Sequence, residues 1–210
     1  MTHTPSPSRR RLTLIAASLA GATAASAITL GLTAAGAATT AAPHHAASSY
    51  SFAMVPSKGI TACLPHAGGH VTITRGSLND TMTITVHGMP KNAGFDFFVI
   101  QQPTKPFGVA WYQTDLNADA HGNGSATVRG IFNRETFSVS LGGTAKFAPT
   151  HQFHLGLWFS DPKVPFNLGC EPGATSPVVT PFNGEQHAGI QVLNTAQFPV
   201  NAGPLSHVHP

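Results

Sequence analysis

The sequence predicts an all-β protein: a single antiparallel β-sandwich, immunoglobulin-like or jelly-roll, with almost no helix outside an N-terminal signal. Three observations carry that prediction. From Tyr50 onward, turn residues recur roughly every eight to fifteen positions, the rhythm of a sandwich or barrel. Between them, several stretches alternate apolar and polar residues with a period of two, as half-buried strands do. Past the signal, no helical period runs for about ten residues without Gly or Pro, the two residues that helix interiors tolerate least.

The stretch from Thr81 to Gln101 is the clearest strand pair. Met82, Ile84 and Val86 alternate with Thr81, Thr83, Thr85 and His87, which gives one buried and one solvated face. Gly88, Pro90, Asn92 and Gly94 then supply turn residues. Phe97-Phe98-Val99-Ile100 follows as a continuous apolar run, short enough for a strand buried on both faces. Asp96 is the odd residue there, because it must either face solvent or pair with a buried donor such as an arginine. Further strands are expected at Tyr50 to Val55, His70 to Arg75, Val109 to Thr114, Ser125 to Phe132, Thr136 to Leu141, Gln152 to Ser160, Pro177 to Thr180 and Gly189 to Asn194. In the Gln152 to Ser160 segment, Phe153, Leu155, Leu157 and Phe159 share a face, which leaves His154, Gly156 and Trp158 opposite.

The N-terminus reads as an export signal over residues 1–37. Arg9, Arg10 and Arg11 precede an uncharged stretch from Leu12 to Leu32, and Ala35-Gly36-Ala37 offers a small-residue cleavage site. The Arg pair also fits twin-arginine export, and a stretch of ~20 residues is long enough for an uncleaved anchor. Residues 38–49 form a flexible lead-in rich in Ala, Thr and Ser, 50–199 the β domain, and 200–210 a tail expected to fray. The destination is therefore secreted: extracellular or envelope-associated. In that oxidising setting Cys63 and Cys170 are expected to form a disulfide. It closes a loop of about 100 residues, worth up to ~4–5 kcal/mol in the chain-entropy model.

Charge excludes some partners. The formal net charge is +3, but it resides in Arg9, Arg10 and Arg11; without them, Lys and Arg balance Asp and Glu. No basic footprint for nucleic acid or an anionic membrane survives signal cleavage. Enzyme signatures are also missing: there is no G-x-S-x-G elbow and no HExxH pair.

Two constellations remain. Asp115, Asn117 and Asp119 place side-chain oxygens at alternate positions, as a calcium loop does, although Ala120 stands where such a loop needs Gly. The preferred reading is a hairpin turn, because Asp, Asn and Gly, here Asp119, Gly122, Asn123 and Gly124, supply the left-handed conformations such turns require. No other cofactor is indicated. Histidines recur in pairs such as His66 and His70, or His151 and His154, and pairs in sequence do not show the convergence a transition metal needs. Among the aromatics, Trp111-Tyr112 and Trp158-Phe159 are adjacent, so one member of each pair points outward in a strand. Trp111, Tyr112 and Trp158 are therefore candidate platforms for a sugar ring or an apolar ligand.

Gly94 to Gln101, Trp111 to Asp115, Phe153 to Phe159 and Thr180 to Asn194 together resemble an uncharacterised family of exported bacterial β-sandwich proteins. Val71 to Val139 is similar to the immunoglobulin-like sandwich of neocarzinostatin-type proteins, through an alternating strand, a Gly-Pro turn and an Asp-x-x-Gly-x-Gly-Ser hairpin. That family implies two short-range bridges, whereas this chain has only Cys63 and Cys170. The resemblance thus implies a fold more than a ligand. The expected function is that of a secreted, non-enzymatic protein, envelope-associated or extracellular. Its competitor is a module binding cell-wall polysaccharide or a small ligand, and a secreted hydrolase stands third. The sequence leaves the oligomeric state open.

Overall fold

The structure is a computed structural model that describes residues 48–132, 149–181 and 187–208, together with the backbone of 138–141 and 144–147. The expected signal and all of the lead-in before Ser48 lie outside the described residues. The fold is all-β and antiparallel. The strands are β1 (Ser49–Pro56), β2 (Gly68–Thr74), β3 (Asp80–His87), β4 (Gly94–Ile100), β5 (Ala110–Asn117), β6 (Gly124–Gly130), β7 (Ser138–Leu141), β8 (Thr144–Phe147), β9 (His154–Phe159) and β10 (Gln191–Asn194). Helix among the described residues is limited to α1 (Ile60–Cys63), α2 (Lys163–Asn167) and a 3-10 turn at Pro204–His207.

Eight strands form one nearly closed sheet in the order β5-β4-β9-β10-β1-β2-β3-β6, while β7 and β8 pair separately. β1, β2, β3 and β6 make one half, and β5, β4, β9 and β10 the other. The halves join where Val55 faces Asn194 and Pro56 faces Leu193. A buried polar knot reinforces that narrow seam. Ser57 Oγ donates to Gln191 Oε1 at 2.9 Å, and Asn194 Nδ2 donates to both, at 3.1 and 3.0 Å. Buried polar groups are tolerated where each finds a partner, and here they find one another. The other two edges, β5 and β6, are linked through the turn at 118–123 and share no ladder among the described residues.

The main core lies between the halves. Val71, Ile73, Met82, Ile84 and Val86 enter it from one side; Phe95, Phe97, Leu155, Leu157 and Phe159 enter from the other. β3 shows the expected alternation, with Met82, Ile84 and Val86 buried and Thr85 and His87 exposed. On the solvated face, Thr83 and Thr127 hydroxyls meet at 3.2 Å, a cross-strand pair of the kind that supports sheets. The turn after β3 needs its glycine. Gly88 has φ +66°, and a Cβ there would lie 2.1 Å from the His66 carbonyl oxygen.

β4 and β9 are buried on both faces, as the apolar run in β4 predicts. Their outer face carries a second apolar cluster of Phe98, Ile100, Trp158 and Ala188, covered by Phe107 and Ala110. Phe107 and Phe98 meet the Trp158 ring edge-on, at 4.9 and 5.5 Å between centroids, the geometry that aromatic quadrupoles favour. Gln191 Nε2 reaches across to the Pro103 carbonyl at 3.1 Å and pins the covering segment. Gly156 makes room for the indole, since a Cβ there would lie 2.3 Å from the Trp158 ring.

Cys63 and Cys170 are joined, with Cα atoms 5.1 Å apart and a sequence separation of 107. The bridge ties the end of α1 to the chain just after α2, two short elements that ladder hydrogen bonds do not hold. Three expectations need correction. Pro177 to Thr180 is not a strand; its Thr180 N–H bonds Ala188 O at 2.8 Å outside any ladder. Asp96 does not face solvent: it is buried, and its Oδ1 accepts the Ser160 hydroxyl at 2.7 Å. The tail does not fray from residue 200, because Leu205 and Val208 pack into the main core.

The fit between Gly156 and Trp158 is testable by a double-mutant cycle in urea. Gly156→Ala should destabilise by about 1–3 kcal/mol, the usual cost of overfilling a packed core. In a Trp158→Phe background the same change should cost markedly less, because the clashing part of the indole is gone. Equal costs in both backgrounds would show that the ring is not the obstacle.

Candidate functional site

The two adjacent aromatics at the start of β5 part company, as strand geometry requires. Trp111 stands opposite Val99, on the core-facing side; Tyr112 stands opposite Phe98, on the outer side. Both are about half exposed, at 47% and 48%. Trp158, by contrast, has no exposure. The three expected platform residues therefore do not share a surface: Trp158 is a core residue under Phe107, and only Trp111 and Tyr112 reach solvent. Sequence alternation correctly puts Trp158 opposite the main core, but the covering segment at 103–107 is invisible to it.

Tyr112 is engaged by the fold. Its hydroxyl donates to Asp115 Oδ1 at 2.7 Å. Partial desolvation, that hydrogen bond and the negative charges of Asp115 and Asp96 push the phenol up to about 12. It is a neutral hydrogen-bond donor at any ordinary pH.

The calcium candidates are placed with equal clarity. Asp115 receives the Tyr112 hydroxyl. Asp119 Oδ1 accepts the His121 and Asn123 N–H groups at 2.8 and 2.9 Å. Those two backbone bonds hold the Asp119 carboxyl below its ordinary range. Met89 N–H and Asn92 N–H bond the turn's carbonyls at Gly122 and Asp119, at 3.0 and 3.1 Å. Asp119 thus closes the β5–β6 turn, and Asn117 is exposed beside it. Among the described residues, no group of three His, Cys, Asp or Glu side chains converges on a common point.

Trp111 opens onto a cleft of about 320 Å³. It lies between the unpaired edges of the sheet, at the end remote from the 118–123 turn. Val99, Trp111 and Gln113 form one wall; Gly130, Ile131 and Phe132 form the facing wall at the end of β6. Gln152 and Phe153, just before β9, make the floor with Leu205. Ile131 is 56% exposed, so two large apolar side chains flank the mouth. Two amides interrupt the mainly apolar lining: Gln113, whose Nε2 donates to Trp111 O at 3.3 Å, and Gln152. Gln152 is 8% exposed, and neither its Nε2 nor its Oε1 has a hydrogen-bond partner.

The sequence reading finds Trp111 but not Ile131, Gln152 or Leu205 as site residues. Ile131 falls inside the expected Ser125 to Phe132 strand and nothing there sets it apart, whereas β6 ends at Gly130. Gln152 reads as an ordinary polar strand residue. Leu205 lies in the segment expected to fray, so nothing local places it near Trp111.

Leu205 is brought there by a latch on His154, which is fully buried. Its Nε2 faces the carbonyl oxygens of Pro199 and Val200 at 3.1 and 3.0 Å, and so carries the proton. Its Nδ1 then accepts the Thr195 hydroxyl at 3.0 Å. Leu205 N–H bonds Phe153 O at 3.1 Å and completes the closure. Desolvation pushes the His154 pKa below its ordinary 6.5, against the opposing pull of hydrogen bonds to Val200, Pro199 and Thr195.

Comparison with protein-family models, curated proteins and solved structures finds no match to this chain. The chemistry of the cleft therefore rests on its own residues.

The latch predicts an acid limit to stability. Below about pH 6.5 the unfolded chain takes up a proton at His154 while the native ring stays neutral. His154's contribution is thus complete above that pH and declines as pH falls from there towards the depressed native value. Urea midpoints measured between pH 7.5 and 5 should drop, and the slope should be shallower in His154→Gln. An unchanged slope in that variant would remove His154 from the account.

Proposed function

We propose that this is an exported, non-enzymatic binding protein, extracellular or envelope-associated, that takes a small ligand in the Trp111 cleft. The reading accords with the signal-like N-terminus that the sequence suggests and with a disulfide suited to oxidising surroundings. One observation carries the binding assignment: a half-exposed Trp opens onto a concave, mainly apolar cleft that holds one buried amide. Such a combination of mainly apolar walls with a small number of polar groups is the usual make-up of small-molecule sites.

The non-enzymatic part has its own support. The buried acids are occupied by structure: Asp80 Oδ2 accepts the Phe132 N–H at 3.3 Å, and Asp96 Oδ1 accepts the Ser160 hydroxyl. The His154 ring nitrogens are engaged by the latch. Among the described residues the cleft lining contains no His, Ser, Cys, Asp, Glu or Lys, so no nucleophile and base of the usual kinds meet there among them. The same lining favours a compact apolar ligand over a polysaccharide chain, whose hydroxyls would be desolvated against Ile131, Phe132 and Phe153 without partners.

The test uses the different exposure of the two tryptophans. Iodide should quench the emission of Trp111 and leave that of Trp158 largely untouched. In a screen of apolar small molecules and cell-wall polysaccharides, a small molecule should protect Trp111 from iodide. Trp111→Ala should weaken its binding by about tenfold or more, as the loss of an aromatic anchor does. If only polysaccharides protect Trp111, the carbohydrate reading replaces this one; if nothing protects it, the cleft is not a binding site.

A further inference from the structure

Gln152 is, among the described residues of the cleft, the buried polar side chain that the fold itself does not satisfy. A buried donor or acceptor left unpaired costs about 1–3 kcal/mol, and Gln152 Nε2 and Oε1 both stand in that position. Neighbouring polar residues at comparable depth are treated differently: Gln191 and Asn194 bond each other, Ser57 and a loop carbonyl. Gln152 also lines, with Trp111 and Phe153, a space large enough for a ring system. Its volume of about 320 Å³ lies at the small end of the range for ligand pockets.

A primary amide presents a donor and an acceptor side by side in one plane. The group that answers both at once is another amide held cis, with its N–H and C=O on the same edge, as in a lactam or a cyclic imide. A carboxylate would accept from Nε2 but face Oε1 with a second acceptor. Among the described residues no Lys, Arg or His lines the cleft to offset its charge. A sugar ring could satisfy the amide, but its remaining hydroxyls would lie against Ile131, Phe132 and Phe153.

We infer that the cleft recognises a neutral, flat, largely apolar small molecule with a cis-amide edge, the lactam or imide class, and that Gln152 is the residue that selects it. The inference rests on the binding role proposed for the Trp111 cleft. The ring system packs against Trp111 and between Ile131 and Phe153. Its amide edge pairs with Gln152, after rotation about the soft terminal torsion of that side chain. The recognition is one of neutral hydrogen bonds, so affinity does not depend on salt.

The experiment titrates the isotope-labelled, signal-free protein with 2-quinolone, a neutral bicyclic lactam, and with its N-methyl derivative, which keeps the shape and lacks the donor. Amide and indole resonances are followed by NMR. The lactam should shift the Gln152 side-chain amide and the Trp111 indole N–H, and N-methylation should weaken binding about tenfold to a hundredfold. Gln152→Met, which keeps the length and removes both polar atoms, should bring the two probes to similar affinity. If the probes bind the wild-type protein equally at Trp111, or if their difference persists in Gln152→Met, amide selection by Gln152 is wrong and the cleft still binds. If neither probe moves Trp111 at millimolar concentration, the lactam inference fails, and the binding role is decided separately by the iodide screen. Should Gln152→Met not fold, the comparison of the two probes on the wild-type protein decides alone.

Discussion

Burial of β4 and β9 on both faces is the constraint from which the rest of this structure follows. A strand with one apolar face needs one partner layer; these two need a second, and no long helix among the described residues supplies it. The chain covers them instead with the segment between β4 and β5. Phe107 closes over Trp158, and Gln191 holds the Pro103 carbonyl. Fully burying a large aromatic contributes on the order of 2–3 kcal/mol, which is what makes an otherwise irregular covering segment worth ordering. Gly156 is the local accommodation that lets the indole lie flat against its own strand.

The same constraint leaves its mark on the polar residues. Asp96 lies on the outer face of β4 and is carried into the interior with it, where the Ser160 hydroxyl receives it. At the seam between the two halves, only two residue pairs join β1 to β10, and Ser57, Gln191 and Asn194 add side-chain bonds where the ladder is short. Closure of the sheet is thus secured at one seam by a polar knot. At the other, the edges of β5 and β6 stay apart beyond their shared turn, and the Trp111 cleft is the space between them. The cleft is a consequence of incomplete closure, and its floor is completed by a C-terminal segment that the His154 latch draws across β9.

The strands with strict alternation could be read directly. Met82, Ile84 and Val86 point inward because any other register would bury Thr81, Thr83 and Thr85. Leu155, Leu157 and Phe159 face the main core for the same reason, and Trp158 faces away from it. The Asp119 turn was equally legible, because its chemistry is confined to five consecutive residues. Neither Trp158 nor Asp96 could be assigned an environment in this way, since alternation gives a face and not what covers it. The tail misled for a related reason: its Gly, Pro and His content suits a loose end, and only contact with His154 and Phe153 orders it.

The sequence by itself determined the strand faces, the turns and the pairing of the two cysteines. Each depends on neighbours along the chain or, for the cysteines, on having a single possible partner. Tertiary structure alone decided which aromatic remained in contact with solvent, where Asp96 found its hydrogen bond, and that Gln152 came to rest unpaired beside Trp111. Those outcomes join residues forty or more positions apart, and such proximity is a property of how two sheet edges fail to meet. The candidate site is built from that gap, so its members share no motif that a reading along the chain could collect.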